Sequence, residues 1–295
     1  MMDLYISSAK TKEGAILSKN AYLYIEVFFK NVIGHKRYFM QLDTGANMSI
    51  IYDGKLKLIE LNKEQLTSNL CNVNSEEIKI KSVDLAIKLH TNDIFIVRKF
   101  YIENDISENE DIINDFEFLN NVVGLVGMDF IKKNLIIDFK HKKIQIDKLF
   151  TDHKLHELSK SELFYEHLKL PFIKVFLKSI NKDIITLYDS AAGTFDFITN
   201  KGIYDIYELE KEKNYNVSRI DRMLKVYSKH IDEELVLNKK SKISYTIKNI
   251  STLRDDYLES IFKENNFNGI ISNNVFENQL VVIDFENSVF KVFEF

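Results

Sequence analysis

The second half of this 295-residue sequence repeats its first, and no other feature limits the possible folds as strongly. Ile25-Glu-Val-Phe-Phe-Lys30 lines up with Ile173-Lys-Val-Phe-Leu-Lys178, and both alternate as strands do. Each is followed by a polar turn, "NVIGHK" or "SINK", and then by a second apolar strand. That strand runs into an acidic loop, at Asp43 in "FMQLDTGANMSII" and at Asp189 in "ITLYDSAAGTFDFI". Downstream, Gly124-Leu-Val-Gly-Met-Asp-Phe130 matches Gly269-Ile-Ile-Ser-Asn-Asn-Val275, and "LIIDFKHKKIQI" matches "LVVIDFENSVFKV". Asp138 follows Asp43 by 95 residues, and Asp284 follows Asp189 by the same 95. Four ordered matches with one shared spacing predict two homologous lobes, residues 17–149 and 165–295. Residues 1–16 read as an N-terminal extension. Residues 150–164, polar and helically spaced, read as a linker. A helix is expected over "STLRDDYLESIFKENN" (251–266), capped by Ser251 or Thr252 with acidic residues in its first turns. "SENEDIINDFEFLNN" (107–121) is its expected counterpart in the first lobe.

Composition agrees with a β-rich chain and removes several functions. Phe, Tyr and Ile are plentiful, Trp is absent, and there is one Pro. Net charge is −4, and the basic run Lys140-His141-Lys142-Lys143 is too short to suggest more than a solvated strand end, so no nucleic-acid partner is expected. Cys71 is the single cysteine, which excludes an internal disulfide and reads as a packed small apolar residue. No apolar run is long enough to span a bilayer, and the N-terminal stretch has no continuous apolar core of a signal peptide. The expectation is a soluble, cytoplasmic protein with no membrane partner. His153 and His156 stand three apart, but no Cys or carboxylate cluster completes a metal site, so neither metal nor cofactor is expected. A nucleophile elbow and a phosphate-binding loop are also absent.

The two acidic loops carry the chemistry. A carboxylate on a loop leaving buried strands is rigidly held, and a small residue two positions on lets other backbone approach it. The neighbouring hydroxyl, on Thr44 or Ser190, can bond to the opposite loop. Two such loops facing each other bring two carboxylates together, where they share a proton. One then activates a water as general base while the other, protonated, polarises a carbonyl.

With Leu42-Asp43-Thr44-Gly45-Ala46 and the later "GLVGMDF…IIDF", the chain resembles an aspartic protease of the pepsin and retropepsin type. The resemblance covers both lobes. It implies the acid protease fold, mainly β, with two β-barrel-like lobes related by a pseudo-twofold axis and a cleft between them. It implies Asp43 and Asp189 as the catalytic pair, with Thr44, Gly45, Ser190 and Ala191 supporting their loops. The partner is then a peptide or unfolded protein, cut by a monomer. The hairpin flap that closes over the cleft in this fold class is expected around "NLCNVNSEE" (69–77). Ser49 reads either as a residue that bonds near the Asp43 carboxylate and tunes it or as a plain loop serine; Asp129, Asp138 and Asp284 read as turn and strand-edge residues.

The second lobe departs from the family pattern. Ser190 keeps a hydroxyl where Thr is usual, Ala191 stands where Gly is usual, and Ser272 replaces the equivalent of Gly127. This drift motivates the alternative of a non-catalytic peptide-binding pseudoprotease on the same fold. A homodimer pairing two Asp43 loops is a third arrangement, which the covalently supplied second lobe disfavours.

Overall fold

The computed structural model describes every residue except 33–35, 74–75, 90–92, 105–110, 149–154, 165–168, 208–211, 219–222, 240 and 242. Strand dominates, as expected. The first half holds β1 (Met2–Thr11), β2 (Ile16–Phe29), β3 (Tyr38–Leu42), β4 (Ile50–Tyr52), β5 (Thr67–Val73), β6 (Glu76–Lys88), β7 (Ile96–Glu103), β8 (Ile112–Asn114), β9 (Val122–Val126), β10 (Asn134–Asp138) and β11 (Lys143–Ile146). The second half holds β12 (His156–Phe164), β13 (Phe172–Leu177), β14 (Lys182–Tyr188), β15 (Phe197–Thr199), β16 (Lys213–Ser218), β17 (Met223–Val236), β18 (Tyr245–Thr252), β19 (Gly269–Ile271), β20 (Leu280–Asp284) and β21 (Val289–Glu294). Among the described residues, two α-helices, α1 (Lys201–Tyr204) and α2 (Asp256–Glu264), lie in the second half.

The same pairings occur in both halves. In the first, β3 pairs antiparallel with β2 and parallel with β9, while β4 pairs antiparallel with β9 and parallel with β7. In the second, β14 pairs antiparallel with β13 and parallel with β19, while β15 pairs antiparallel with β19 and parallel with β18. Antiparallel β5–β6–β7 has its match in β16–β17–β18. The parallel strands β9 and β19 sit in the middle of these arrangements, and every residue of β9 is buried, as befits strands covered on both faces.

The halves meet along β10 and β20, which pair antiparallel with Ile136 opposite Val282 at the centre. Phe139 N–H donates to Gln279 O at 3.0 Å, and Phe285 N–H donates to Lys133 O at 2.9 Å. β11 and β1 flank this seam on one side, β21 and β12 on the other, giving the order β1-β11-β10-β20-β21-β12. All of β10 is buried, and Val281, Ile283 and Ile137 lie within the main core.

Several expectations are corrected. Residues 1–16 are no detached extension: Met2–Thr11 is β1, paired with β2, β8 and β11. The linker 150–164 is not helical where described, because His156–Phe164 is β12, paired with β21 and β13. Its Ser159, Ser161 and Leu163 alternate inward with a period of two, which the polar composition hid. Ser159 reaches the Tyr245 hydroxyl, and Ser161 Oγ donates to Lys174 O at 2.8 Å, so the buried hydroxyls are satisfied. The segment 107–121 forms no α-helix in its described part, only a short 3-10 turn at Leu119–Asn121. Ile112–Asn114 is β8 against β1, and Phe116 and Phe118 join an aromatic cluster with Tyr24 and Phe39. Packing of these rings overrides local helical spacing. Helix α2 is present but starts at Asp256; Ser251 and Thr252 end β18 opposite Ser228 and Tyr227 and cannot cap it. The proposed flap stretch is a hairpin, with β5 and β6 paired from Thr67↔Ser82 to Val73↔Glu76; its turn at 74–75, and the side chains of 69–78, lie outside the described residues.

Candidate active site

Asp43 and Asp189 stand at the ends of equivalent strands. β3 delivers Asp43, whose N–H donates to Val126 O of β9 at 3.0 Å; β14 delivers Asp189, whose N–H donates to Ile271 O of β19 at 2.9 Å. Each chain then turns back on itself. Ala46 N–H donates to Asp43 O and Ala192 N–H to Asp189 O, both at 3.3 Å. Within each turn the carboxylate is gripped by the amide two residues on: Gly45 N–H to Asp43 Oδ1 at 2.9 Å, and Ala191 N–H to Asp189 Oδ1 at 2.8 Å. Ala191 therefore provides the same contact as Gly45, and its φ is not in the left-handed region where a side chain would strain the backbone.

Reciprocal hydroxyl bonds hold the two loops together. Thr44 Oγ1 donates to Tyr188 O at 2.8 Å and accepts from Ser190 N–H at 2.9 Å. Ser190 Oγ donates to Leu42 O at 2.8 Å and accepts from Thr44 N–H at 3.0 Å. Both side chains are fully buried, so water does not compete for these bonds. Two hydroxyls thus satisfy four backbone groups, each reaching across to the other half.

The result sets the two carboxyls side by side, near enough for each to act on the other. Both groups are half-buried by surface exposure yet packed round by protein. Burial and then the charge of Asp189 hold the Asp43 carboxyl well above the usual range; amides of Gly45 and Ala46 oppose this. Burial also raises Asp189, against the amides of Ala191 and Ala192 and the bond from Asp43. Like charges this close resist joint ionisation, so the pair retains a proton to higher pH than isolated carboxylates. Gly45 makes the approach possible: a Cβ there would lie 2.4 Å from Asp189 Oδ2.

The remaining candidates separate from this centre. Ser49 does not tune Asp43: its Oγ donates to Asp129 Oδ1 at 2.7 Å and accepts from Gly127 N–H at 3.1 Å, bracing β4 against the turn after β9. Asp138 accepts from His141 N–H, and Asp284 from Asn287 N–H, so both are turn residues as expected. Ser272, in place of glycine, has its Oγ accepting from Asn274 N–H at 3.3 Å at the start of a short 3-10 helix. Among the described residues, no group of three His, Cys, Asp or Glu could hold a metal, and no helix is long and apolar enough to cross a membrane.

Sequence reasoning missed Asn273. Its buried amide donates to Ser190 O at 2.8 Å and to Asn20 O at 3.1 Å, and accepts from the Tyr188 hydroxyl at 2.8 Å. It ties the second acidic loop to β2 of the first half. The clue was available: Asn273 stands where the first repeat has the apolar Met128.

No protein-family model matches the chain, and comparison with curated proteins finds no match.

Proposed function

We propose that the chain is an aspartic endopeptidase with the acid protease fold, its two lobes related by a pseudo-twofold axis and each contributing one catalytic carboxyl. The reciprocal bonding of Thr44 and Ser190, which sets Asp43 beside Asp189, is the observation that carries this reading. The repeated pairings and the centring of the β10–β20 seam on Ile136 and Val282 support the axis: Val282 follows Ile136 by the interval that separates Asp43 from Asp189. On this reading the lobes extend outward beyond residues 17–149 and 165–295 to include β1 and β12, the outer strands of the shared seam.

In the proposed reaction a water between the carboxyls attacks the scissile carbonyl. The ionised carboxylate takes its proton, and the protonated partner donates toward the carbonyl oxygen. Burial raises both carboxyls, so the resting pair holds one proton between them, with one carboxyl as acid and the other as base. The gem-diol intermediate collapses as the carboxyl that took the water's proton gives it to the leaving nitrogen and its partner takes a proton back from a gem-diol hydroxyl, which breaks the C–N bond and returns the pair to its starting state. An extended peptide would lie between the lobes under the β5–β6 hairpin, held by strand-like backbone bonds. The Ala191 amide bond to Asp189 favours catalysis over the binding-only alternative, because the altered loop still orients its carboxylate.

The test is cleavage of an unfolded protein from about pH 3 to 8 by the wild type, Asp43→Asn and Asp189→Asn. Wild-type cutting with both variants silent is the expected result. A folded wild type that cuts nothing would leave the peptide-binding module as the better reading.

A further inference from the structure

We propose that residues 7–22, with β8, form an arm that closes one end of the cleft and limits how far a substrate peptide extends past the scissile bond on that side. The inference rests on the two-carboxylate reading of the site.

Among the described residues, the arm has no counterpart in the second half. There, β12 and β13 pair only at Leu163↔Ile173 and Phe164↔Phe172. In the first half, β1 and β2 continue outward through Ser7↔Tyr22, Ala9↔Ser18 and Lys10↔Ile16, and β8 adds a third strand at Ala9↔Asn114 and Lys10↔Ile113. The extra sheet crosses to the second half and lies on the acidic loop of Asp189. Gly193, four residues beyond Asp189, is so near β2 that a Cβ would sit 2.3 Å from Ala21 O. Asn273 bonds both Asn20 O and Ser190 O, and Ser18 Oγ donates to Asn274 Oδ1 at 2.5 Å. Beneath the arm, Ala9, Ala21 and Ile112 bury Phe195, Ile198 and Val226, with Ala192 at the edge of the same cluster. Asp111 reinforces the contact by accepting from Asn216 N–H of β16 at 2.8 Å.

The apolar surface flanking the second loop is thus already covered by the chain itself. A peptide continuing in that direction must stop short or displace a packed cluster. Around the first acidic loop the described close contacts of Gly127 stay within its own half, against Met48 O and Ala46 O, so longer extensions are expected toward that end.

Peptides sharing one cleavage site, lengthened stepwise on either the N-terminal or the C-terminal side, test this. For the wild type, kcat/KM is expected to fall at least about 100-fold once extension on one side passes the limit, since displacement would expose several buried apolar side chains. Extension on the other side should not reduce it. Replacing residues 8–21 by a two-residue Asn-Gly turn should abolish the limit. Equal tolerance on both sides in the wild type overturns the proposal, whether or not the shortened protein folds. So does an unchanged limit in a folded shortened protein. Binding of the same peptides to Asp43→Asn separates the two readings: a one-sided length limit in binding without wild-type cleavage retains the arm and rejects hydrolysis. Binding that is absent, or that strengthens with length on both sides, rejects the arm.

Discussion

Replacing Thr44 by Val keeps the side chain's shape and removes only its hydroxyl. Tyr188 O then loses a donor and Ser190 N–H loses its acceptor, in a place where both Thr44 and Ser190 are fully buried. An unsatisfied buried polar group costs about 1–3 kcal/mol, so the pair should cost about 2–4 kcal/mol, allowing for some relief at the carbonyl. Against a typical stability of about 5–15 kcal/mol, that loss is large. Ser190→Ala should behave alike, since it strands Leu42 O and Thr44 N–H. The double variant should lose less than the sum: once one set of bonds is gone the loops separate, and the second set meets water. Thr44→Ser is the control, keeping the hydroxyl and losing one methyl, at about 1 kcal/mol. Urea unfolding of the four variants with a common m-value measures the energies, and kcat measures the alignment of the carboxyls. Displacement by as little as ~1 Å can cost about 100-fold in rate, so Thr44→Val should fall by that order while Thr44→Ser stays near wild type. A loss under about 0.5 kcal/mol for Thr44→Val with unchanged kcat would refute the claim that these hydroxyls hold the loops together.

Three further outcomes follow from the geometry. Gly45→Ala should reduce kcat by about 100-fold with a smaller effect on unfolding, because its new methyl meets the Asp189 carboxylate at 2.4 Å and the carboxyl yields more readily than backbone; steady-state kinetics beside urea titration would show it. The kcat/KM profile should have its alkaline limb above the usual carboxylate range of about 4, because both carboxyls are raised and activity ends when the shared proton leaves; a limb at or below about 4 would contradict this. The same shift acts on stability. A carboxyl raised in the folded state favours folding at low pH, and that contribution is lost as pH rises through its folded pKa. The Tm of Asp43→Asn relative to wild type should therefore increase with pH, which scanning calorimetry at several pH values can read.

The parts of this structure legible in the sequence are those where pattern and tertiary context agree. The strands leading to Asp43 and Asp189 are apolar runs ending at a carboxylate, and they are central and parallel-paired with β9 and β19. Their repetition made the second copy readable despite Ala191. Segments serving as edges were misread. β12 is polar outside and buries small serines, so its period of two was weak. β8 is short, and Ile112 gains its partners from β1 and from Phe195 and Val226 in the other half. No local signal can report a neighbour more than 80 residues away. Asn273 was missed for a related reason: a lone polar residue in an apolar motif looks like drift until its three partners are assembled around it.

The β10–β20 seam bears on how such a chain could arise. With Ile136 opposite Val282, each strand meets the other as it would meet a second copy of itself, which is the isologous contact of a symmetric dimer. On the two-lobe reading, an ancestor half as long could have assembled by this seam and the paired hydroxyls alone. Fusion then lifted the requirement that both copies stay identical. The acidic loops now read Thr-Gly and Ser-Ala, and among the described residues the first half alone carries an outer hairpin. A dimer of identical chains must carry every change twice, in mirrored places around the axis. A fused pair can make its two ends different, and so give a direction to whatever passes between them.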